Sequence, residues 1–295
     1  KCTVCDFHAE CPNCDLSLTI HQAFNELRCH CCGYRHKMPS ECPQCGYREL
    51  KKLGFGTEKI ELEIQKLFPE SKVARMDYDT AKTKSAYQSI LSDFREGEID
   101  ILVGTQMITK GLDFDKINVV GILNADSLLY FPDFHANERA FQLITQVAGR
   151  AGRRSKRGQV IIQTFSPQHP VILETENYNY KQFYKREMSE RRRFYYPPFF
   201  RMIRITIRHK DFKLAEDAAQ LFAKKLKDKI GNRVIGPTVP GIARIRGKYQ
   251  QQITIKMEKN KNAIEKIKNW IIYYRNELLN MEGKKSLRFI IDVDP

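Results

Sequence analysis

The stretch "DILVGTQMITKGLDFDKINVVGILNAD", Asp100–Asp126, decides how the middle of this chain folds. Two apolar runs rich in β-branched residues, "DILVGT" and "NVVGILNAD", flank a polar loop containing a glycine. Such runs are typical of parallel strands buried on both faces. Upstream, "TEKIELEIQKLFP" spaces Ile60, Ile64 and Leu67 as one helical face and ends at Pro69. "KVARMD" reads as a strand, and "AYQSILSDFREGE" as a helix with Gly97 near its C-terminal cap. Downstream, "NERAFQLITQVAGRAG" reads as a helix entering a glycine-rich turn, and "GQVIIQTF" as a closing strand. Strands alternating with helices from Leu53 to Phe165 predict an α/β lobe around a parallel sheet.

Further out, the character changes in both directions. "KQFYKREMSERRRFYYPPFFRMIR" (Lys181–Arg204) mixes basic and aromatic residues, which suits either a nucleic-acid groove or a linker helix ending at Pro197-Pro198. Beyond it the order strand, helix, two strands, helix, strand gives a β-α-β-β-α-β pattern, ferredoxin-like in outline. Within it "ARIRGKY" predicts a hairpin presenting Arg244, Arg246 and Lys248, three candidate contacts to a DNA backbone.

All nine cysteines lie in residues 1–45. Eight form C-x-x-C pairs: Cys2/Cys5, Cys11/Cys14, Cys29/Cys32 and Cys42/Cys45. That spacing lets two thiolates face one ion from a tight turn, so four pairs predict two structural Zn2+ ions with four cysteine ligands each. The outer pairs can enclose the inner ones, or the pairs can alternate; Cys31 is left over either way. His8, His21, His30 and His36 share the region, but with eight sulfurs at hand none is needed.

A net charge of +15 favours an anionic polymer as partner. No apolar run approaches the about 18 residues of a membrane span, and no secretory leader opens the chain, so a cytoplasmic location is expected. A cysteine pair within the first five residues suggests a piece of a longer protein.

"VGTQMITKGLDF" (Val103–Phe114) and "QVAGRAGR" (Gln146–Arg153), about 40 residues apart, resemble motifs V and VI of superfamily 2 helicases. With "GFGTEKIE", "RMDYDT", "FPDFHANERAFQLITQVAGRAGR", the terminal "IIDVDP" and the cysteine module, the whole chain is similar to the primosomal protein N′ family, the PriA-type replication-restart helicases. The resemblance implies a RecA-like second helicase lobe at 51–180. A binuclear zinc module (1–50) precedes it, and a linker (181–200) and an α+β ferredoxin-like DNA-binding domain (201–295) follow. It implies ATP-driven 3′→5′ unwinding at stalled or branched forks, primosome assembly, and ATP with Mg2+ in the full-length bacterial protein. Its partners would be forked and single-stranded DNA, primosome proteins and single-strand-binding proteins near the nucleoid.

By the same resemblance Arg150 and Arg153 would neutralise charge on the γ-phosphate, with Gln146 orienting them or touching nucleotide. Gly111 and Asp113 would sit in the nucleotide-sensing loop, and Thr105, Gln106 and Lys110 would meet strand phosphates. His135 stands where the family usually has arginine. No G-x-x-x-x-G-K-[ST] loop occurs, since "GKYQ" and "GKKS" fail its spacing, and no Asp-Glu-x-His box occurs. The chain is therefore expected to supply only the arginine half of an ATPase cleft. The alternative is a non-enzymatic zinc-containing module that binds DNA or protein partners.

Overall fold

A computed structural model of the chain describes residues 1–21, 24–48, 50, 56–81, 83–109, 117–149, 151 and 158–295. It divides into two compact units: Gly54–Ser189 alone, and Lys1–Leu53 together with Glu190–Pro295. No helix among the described residues is long and apolar enough to cross a membrane.

The first unit follows the predicted order. Helix α1 (Thr57–Leu67) leads to β4 (Val73–Met76), α2 (Lys84–Glu96) and β5 (Ile101–Gly104). Helix α2 starts where the Thr83 hydroxyl accepts the Ala86 N–H, and stops at Gly97, which takes the left-handed φ of 88°. Strands β4 and β5 pair in parallel, Val73 against Ile101 through Met76 against Gly104. A small core of Met76 and Leu91, with Tyr87, Phe94, Leu102 and Ile108 around it, holds that pair to α2.

A 3-10 turn (Gln106–Thr109) follows, and the second half holds β6 (Val119–Ile122), α3 (Asp126–Leu129), α4 (Ala136–Ala148), β7 (Gln159–Ile162), α5 (Pro170–Glu176) and α6 (Tyr180–Arg193). Strands β6 and β7 also pair in parallel. Their core comprises Ala125, Leu129, Ala140, Phe141, Ile144, Val171, Ile172 and Phe183, with the Phe141 and Phe183 rings stacked at 4.2 Å. Arg186 on α6 clamps the buried Glu174 carboxylate of α5 with Nε and Nη2 (2.9 and 2.8 Å).

Two expectations change here. Among the described residues the four strands make two parallel pairs, not one continuous sheet. Of the runs read as buried on both faces, "NVVGILNAD" is covered on one: Val119 is 54% exposed, and Ile161 on the neighbouring β7 is 59% exposed. Helices of this unit pack on the side of Ile122 and Ile162, so the alternate residues of β6 and β7 remain open to solvent.

In the second unit a three-stranded antiparallel sheet, β1 (Thr19–His21), β2 (Glu26–Arg28) and β3 (Arg35–Lys37), lies within the cysteine module. The C-terminal part runs β8 (Phe200–His209), α7 (Phe212–Ile230), β9 (Val234–Thr238), β10 (Arg244–Ile245), β11 (Lys248–Glu258), α8 (Lys261–Asn280) and β12 (Arg288–Val293). Strand β8 sits between β12 and β11, while β9 and β10 both pair with β11. Every pairing is antiparallel, and the order β12-β8-β11-β9 is ferredoxin-like. Alternate residues Ile203, Ile205, Ile207, Ile253, Ile255 and Met257 point into one core with Phe222 and Leu226 of α7 and Ile271 and Leu278 of α8. The terminal "IIDVDP" closes this sheet. Asp294 exchanges two hydrogen bonds with the Met202 backbone (2.7 and 2.8 Å) and pairs with Arg201 at 2.8 Å.

Candidate metal centres and nucleic-acid interface

The cysteine thiols gather in two sets. Cys2, Cys5, Cys42 and Cys45 form one, Cys11, Cys14, Cys29 and Cys32 the other, with all four Sγ atoms of each set within 4.8 Å of one another. The outer pairs therefore enclose the inner ones. Backbone pairing explains the choice: an antiparallel bridge from Cys2 to Leu50 brings the two ends of the module together, and β1–β3 folds the inner pairs back on each other.

Each C-x-x-C turn is closed by its own backbone. The Gly33 N–H donates to the Cys29 carbonyl and the Gly46 N–H to the Cys42 carbonyl, both at 2.9 Å. Both glycines have positive φ (79° and 72°), which a side chain would strain, and this accounts for glycine directly after these two pairs. Cys31 belongs to neither set; it is half-buried against the second. The histidines join neither set: His8 bonds Glu10, and His36 bonds the Lys37 carbonyl.

A tetrahedral zinc with Zn–S of about 2.3 Å requires S···S edges near ~3.8 Å. Close to that spacing, Cys2–Cys45 and Cys5–Cys42 stand at 3.6 Å and Cys11–Cys32 at 3.4 Å. The acidities agree with that donor set. Amides of Cys5 and Val4 bring the Cys2 thiol down to about 6, against the effect of burial. Cys45 is pushed up to about 12 by hydrogen bonds to crowded thiols and by burial, against its Tyr47 amide. In the second set burial pushes Cys14 up to about 12, whereas the Tyr34 amide and neighbouring thiols overcome burial and bring Cys32 to about 7. Four thiols this close cannot all ionise unless a cation shares the space. Both sets fit a structural zinc ion.

The "ARIRGKY" hairpin lies on the second set. The Arg246 N–H donates to Cys14 Sγ (3.3 Å), and its guanidinium reaches the Cys31 carbonyl through Nε (3.2 Å) and Nη2 (3.1 Å). Arg244 Nε donates to Asp15 Oδ1 at 3.2 Å, and its carbonyl accepts the Asp15 N–H at 3.0 Å. Lys248 goes elsewhere. Burial and the nearby Arg288, Lys210 and Arg208 hold its ammonium below the usual lysine range. Arg288 and Arg208 stand directly opposite across β12 and β8, and Gln250 is opposite Arg208 on β11. These four cations have no acidic partner among the described residues, and the Arg208 Nε is buried without a hydrogen bond.

In the helicase-like unit Thr105 and Gln106 are exposed just beyond β5, and Gln146 is exposed in the last turn of α4. Lys110, Gly111, Asp113, Arg150 and Arg153 lie outside the described residues. Gly104 is fixed by space: a Cβ there would collide with the Met76 carbonyl oxygen and the Ile108 side chain. Asp77 of "RMDYDT" emerges as the organising residue of its loop. Its carboxylate accepts from the Thr57 hydroxyl and the Asp79 and Thr80 amides, with Arg75 at 3.4 Å. Burial alone would raise its pKa; these partners hold it below the carboxylate norm. His135 directs its N–H and Nδ1 at Asp133, and Arg139 reaches the same carboxylate at 3.5 Å.

Family models match three segments: the PriA DNA helicase Cys-rich region domain at residues 11–37, the helicase conserved C-terminal domain at 49–155, and the primosomal protein N C-terminal domain at 192–295. Over 296 residues the chain is 40% identical to the replication restart protein PriA of Bacillus subtilis, covering 100% of this chain and 36% of that protein. This chain belongs to the PriA family. The protein of the same name from Chlamydia pneumoniae is 40% identical (100% of this chain, 39% of that protein), and that of Haemophilus influenzae 36% identical (100% and 40%). The chain thus spans under half the length of these relatives. The Cys-rich model takes in only the second cysteine set, so the first is formed by residues flanking it on both sides. The closing "IIDVDP" is the strand and anchor that finish the C-terminal sheet.

Proposed function

We propose that this chain is the C-terminal part of an ATP-dependent 3′→5′ DNA helicase of bacterial cytoplasm. The whole protein would recognise stalled or branched replication forks and start primosome assembly for replication restart. The observation that carries the reading is similarity over the full chain to replication restart proteins, joined to a helicase C-terminal domain that lacks a phosphate loop. In this reading residues 1–50 are the zinc module, 51–180 the second helicase lobe, 181–200 the linker and 201–295 the DNA-binding domain.

Arg150 and Arg153 reach the γ-phosphate of Mg2+-bound ATP held by the other lobe, where a guanidinium neutralises the charge that builds on the transferring group. Gln146, on the turn before them, orients them or touches nucleotide. Gly111 and Asp113 sense the nucleotide, and Thr105, Gln106 and Lys110 grip strand phosphates. On the C-terminal domain Lys248 contacts DNA together with Arg208, Lys210 and Arg288, because four unneutralised cations on one face attract a polyanion. Arg244 and Arg246, on the hairpin beside them, contact the DNA backbone as well while holding the zinc module. Primosome and single-strand-binding proteins complete the set of partners.

A phosphate-release assay with forked DNA tests the division of labour. The 295-residue chain alone is expected to give no DNA-stimulated turnover. Turnover by the chain alone would end the reading. Zinc-dependent binding of forks without turnover is what the second reading, a zinc-containing binding module, shares for this piece in isolation.

A further inference from the structure

The turn between β10 and β11 is two residues long, Arg246-Gly247, and both have positive φ (51° and 71°). That geometry matches the twist of an antiparallel hairpin and favours Asn-Gly or Gly-Gly, so an arginine in its first position carries a backbone cost. Its surroundings offset that cost. The turned-out Arg246 amide meets Cys14 Sγ, its guanidinium meets the Cys31 carbonyl twice, and the Gly247 N–H meets the Asn13 carbonyl at 2.7 Å. Arg244 adds the two bonds to Asp15. These six bonds all land on Asn13–Asp15 and Cys31, which frame the second cysteine set.

We propose that the β10–β11 turn is the outer shell of the second cysteine site, and that metal there, rather than at the first site, locks the zinc module onto the C-terminal domain. The first thiol of a pair receives an N–H from within its own turn: Val4 donates to Cys2, and Asn13 to Cys11, both at 3.4 Å. Cys14 receives its N–H from a residue 232 positions away. A thiolate bound to metal still accepts such a bond, and donors of this kind orient the ligand and tune its hold on the ion. In the other direction, chelation fixes the carbonyls of Asn13 and Cys31 and the Asp15 side chain at the spacing the turn requires. Without the ion, that knuckle is no longer held and the six bonds lose their fixed partners. Coupling of this kind is reciprocal: the turn stabilises bound metal as much as the metal stabilises the docked turn.

The test follows amide hydrogen exchange in the turn of the 295-residue chain, in Cys32→Ser and in Cys45→Ser. Exchange at Arg246 and Gly247 is expected to speed up in Cys32→Ser and to stay at the parent rate in Cys45→Ser. A second arm removes no ligand of the second site. Arg246→Gly keeps the amide, relaxes the backbone and deletes the side chain with its guanidinium; it is made in the Cys45→Ser background, where only the second site holds zinc. Zinc release to a colorimetric chelator is expected to quicken on the order of 10-fold, the usual scale for loss of an outer-shell partner. Equal exchange in the two serine variants, or unchanged zinc release from Arg246→Gly, would overturn the proposal.

Discussion

Neutralising the four cations around Lys248 gives the most quantitative test of the C-terminal domain. The perturbation is Arg208→Gln, Lys210→Gln, Lys248→Gln and Arg288→Gln, singly and together. Each cation that neutralises one duplex phosphate adds about 0.9 to the slope of log K against log salt, so the fourfold variant should flatten the slope by up to about 3.6. At 0.1 M salt one such contact is worth about 8-fold in affinity on that scale, which sets the expected loss for Lys248→Gln alone. The same substitutions should not cost stability. Arg208 and Arg288 face each other across β8 and β12, and like charges so placed oppose folding by about 0.2–1 kcal/mol. Removing Arg288 should raise the melting temperature slightly while weakening DNA. Fluorescence anisotropy with a forked duplex at several salt concentrations, run beside thermal melts, reads both effects. A salt slope unchanged in the fourfold variant would refute the assignment, as would a loss of affinity that merely tracks unfolding.

Serine at Cys31 should leave two zinc ions per chain and serine at Cys32 only one, by metal analysis after dialysis; metal loss from Cys31→Ser would contradict the two sets described. Gly104→Ala should destabilise the helicase-like unit by about 1–3 kcal/mol, because Met76 is held in the β4–β5 ladder and its carbonyl cannot retreat. An unchanged denaturant midpoint would count against that packing. Asp77 and Asp133 have folded pKa values below the usual 3.8, so their contribution is present above that pH and is lost as pH falls through the folded values. Melting temperature should therefore drop below about pH 4, and Asp77→Asn should show a smaller drop between neutral and acid. Phe222→Ala, at a side chain with no exposure, should cost about 3–5 kcal/mol in a chemical melt.

How much of this was readable beforehand depended on the range of the interactions involved. Helices α1, α2 and α4 follow local apolar spacing, and Thr83 and Gly97 mark the ends of α2 as their chemistry dictates. The β8–β12 sheet was equally plain, since Ile203, Ile205 and Ile207 alternate with polar residues. The pairing of cysteines was not, because C-x-x-C spacing satisfies nested and alternating sets alike; the Cys2–Leu50 bridge and the β1–β3 sheet select the nested sets. β-branched runs such as Val119–Ile122 suggested burial on both faces, but propensity reports a fit to a pleated surface, not what covers it. The hairpin cations were read as a single group of DNA contacts. Arg246 also bonds residues more than 200 positions away, a contact invisible to any local pattern. Asp77 carries a local signal: Asp-x-x-Thr in "RMDYDT" is the spacing of a carboxylate capping its own turn.

The central claim is that this chain brings the arginine half of an ATPase cleft to a PriA-type helicase. The direct measurement is DNA-stimulated phosphate release by the full-length protein carrying Arg150→Ala or Arg153→Ala. The account predicts a loss on the order of 10³-fold from removal of the residue that acts as the finger, with DNA binding and zinc content retained. Full turnover in both single variants and in the double variant would contradict it.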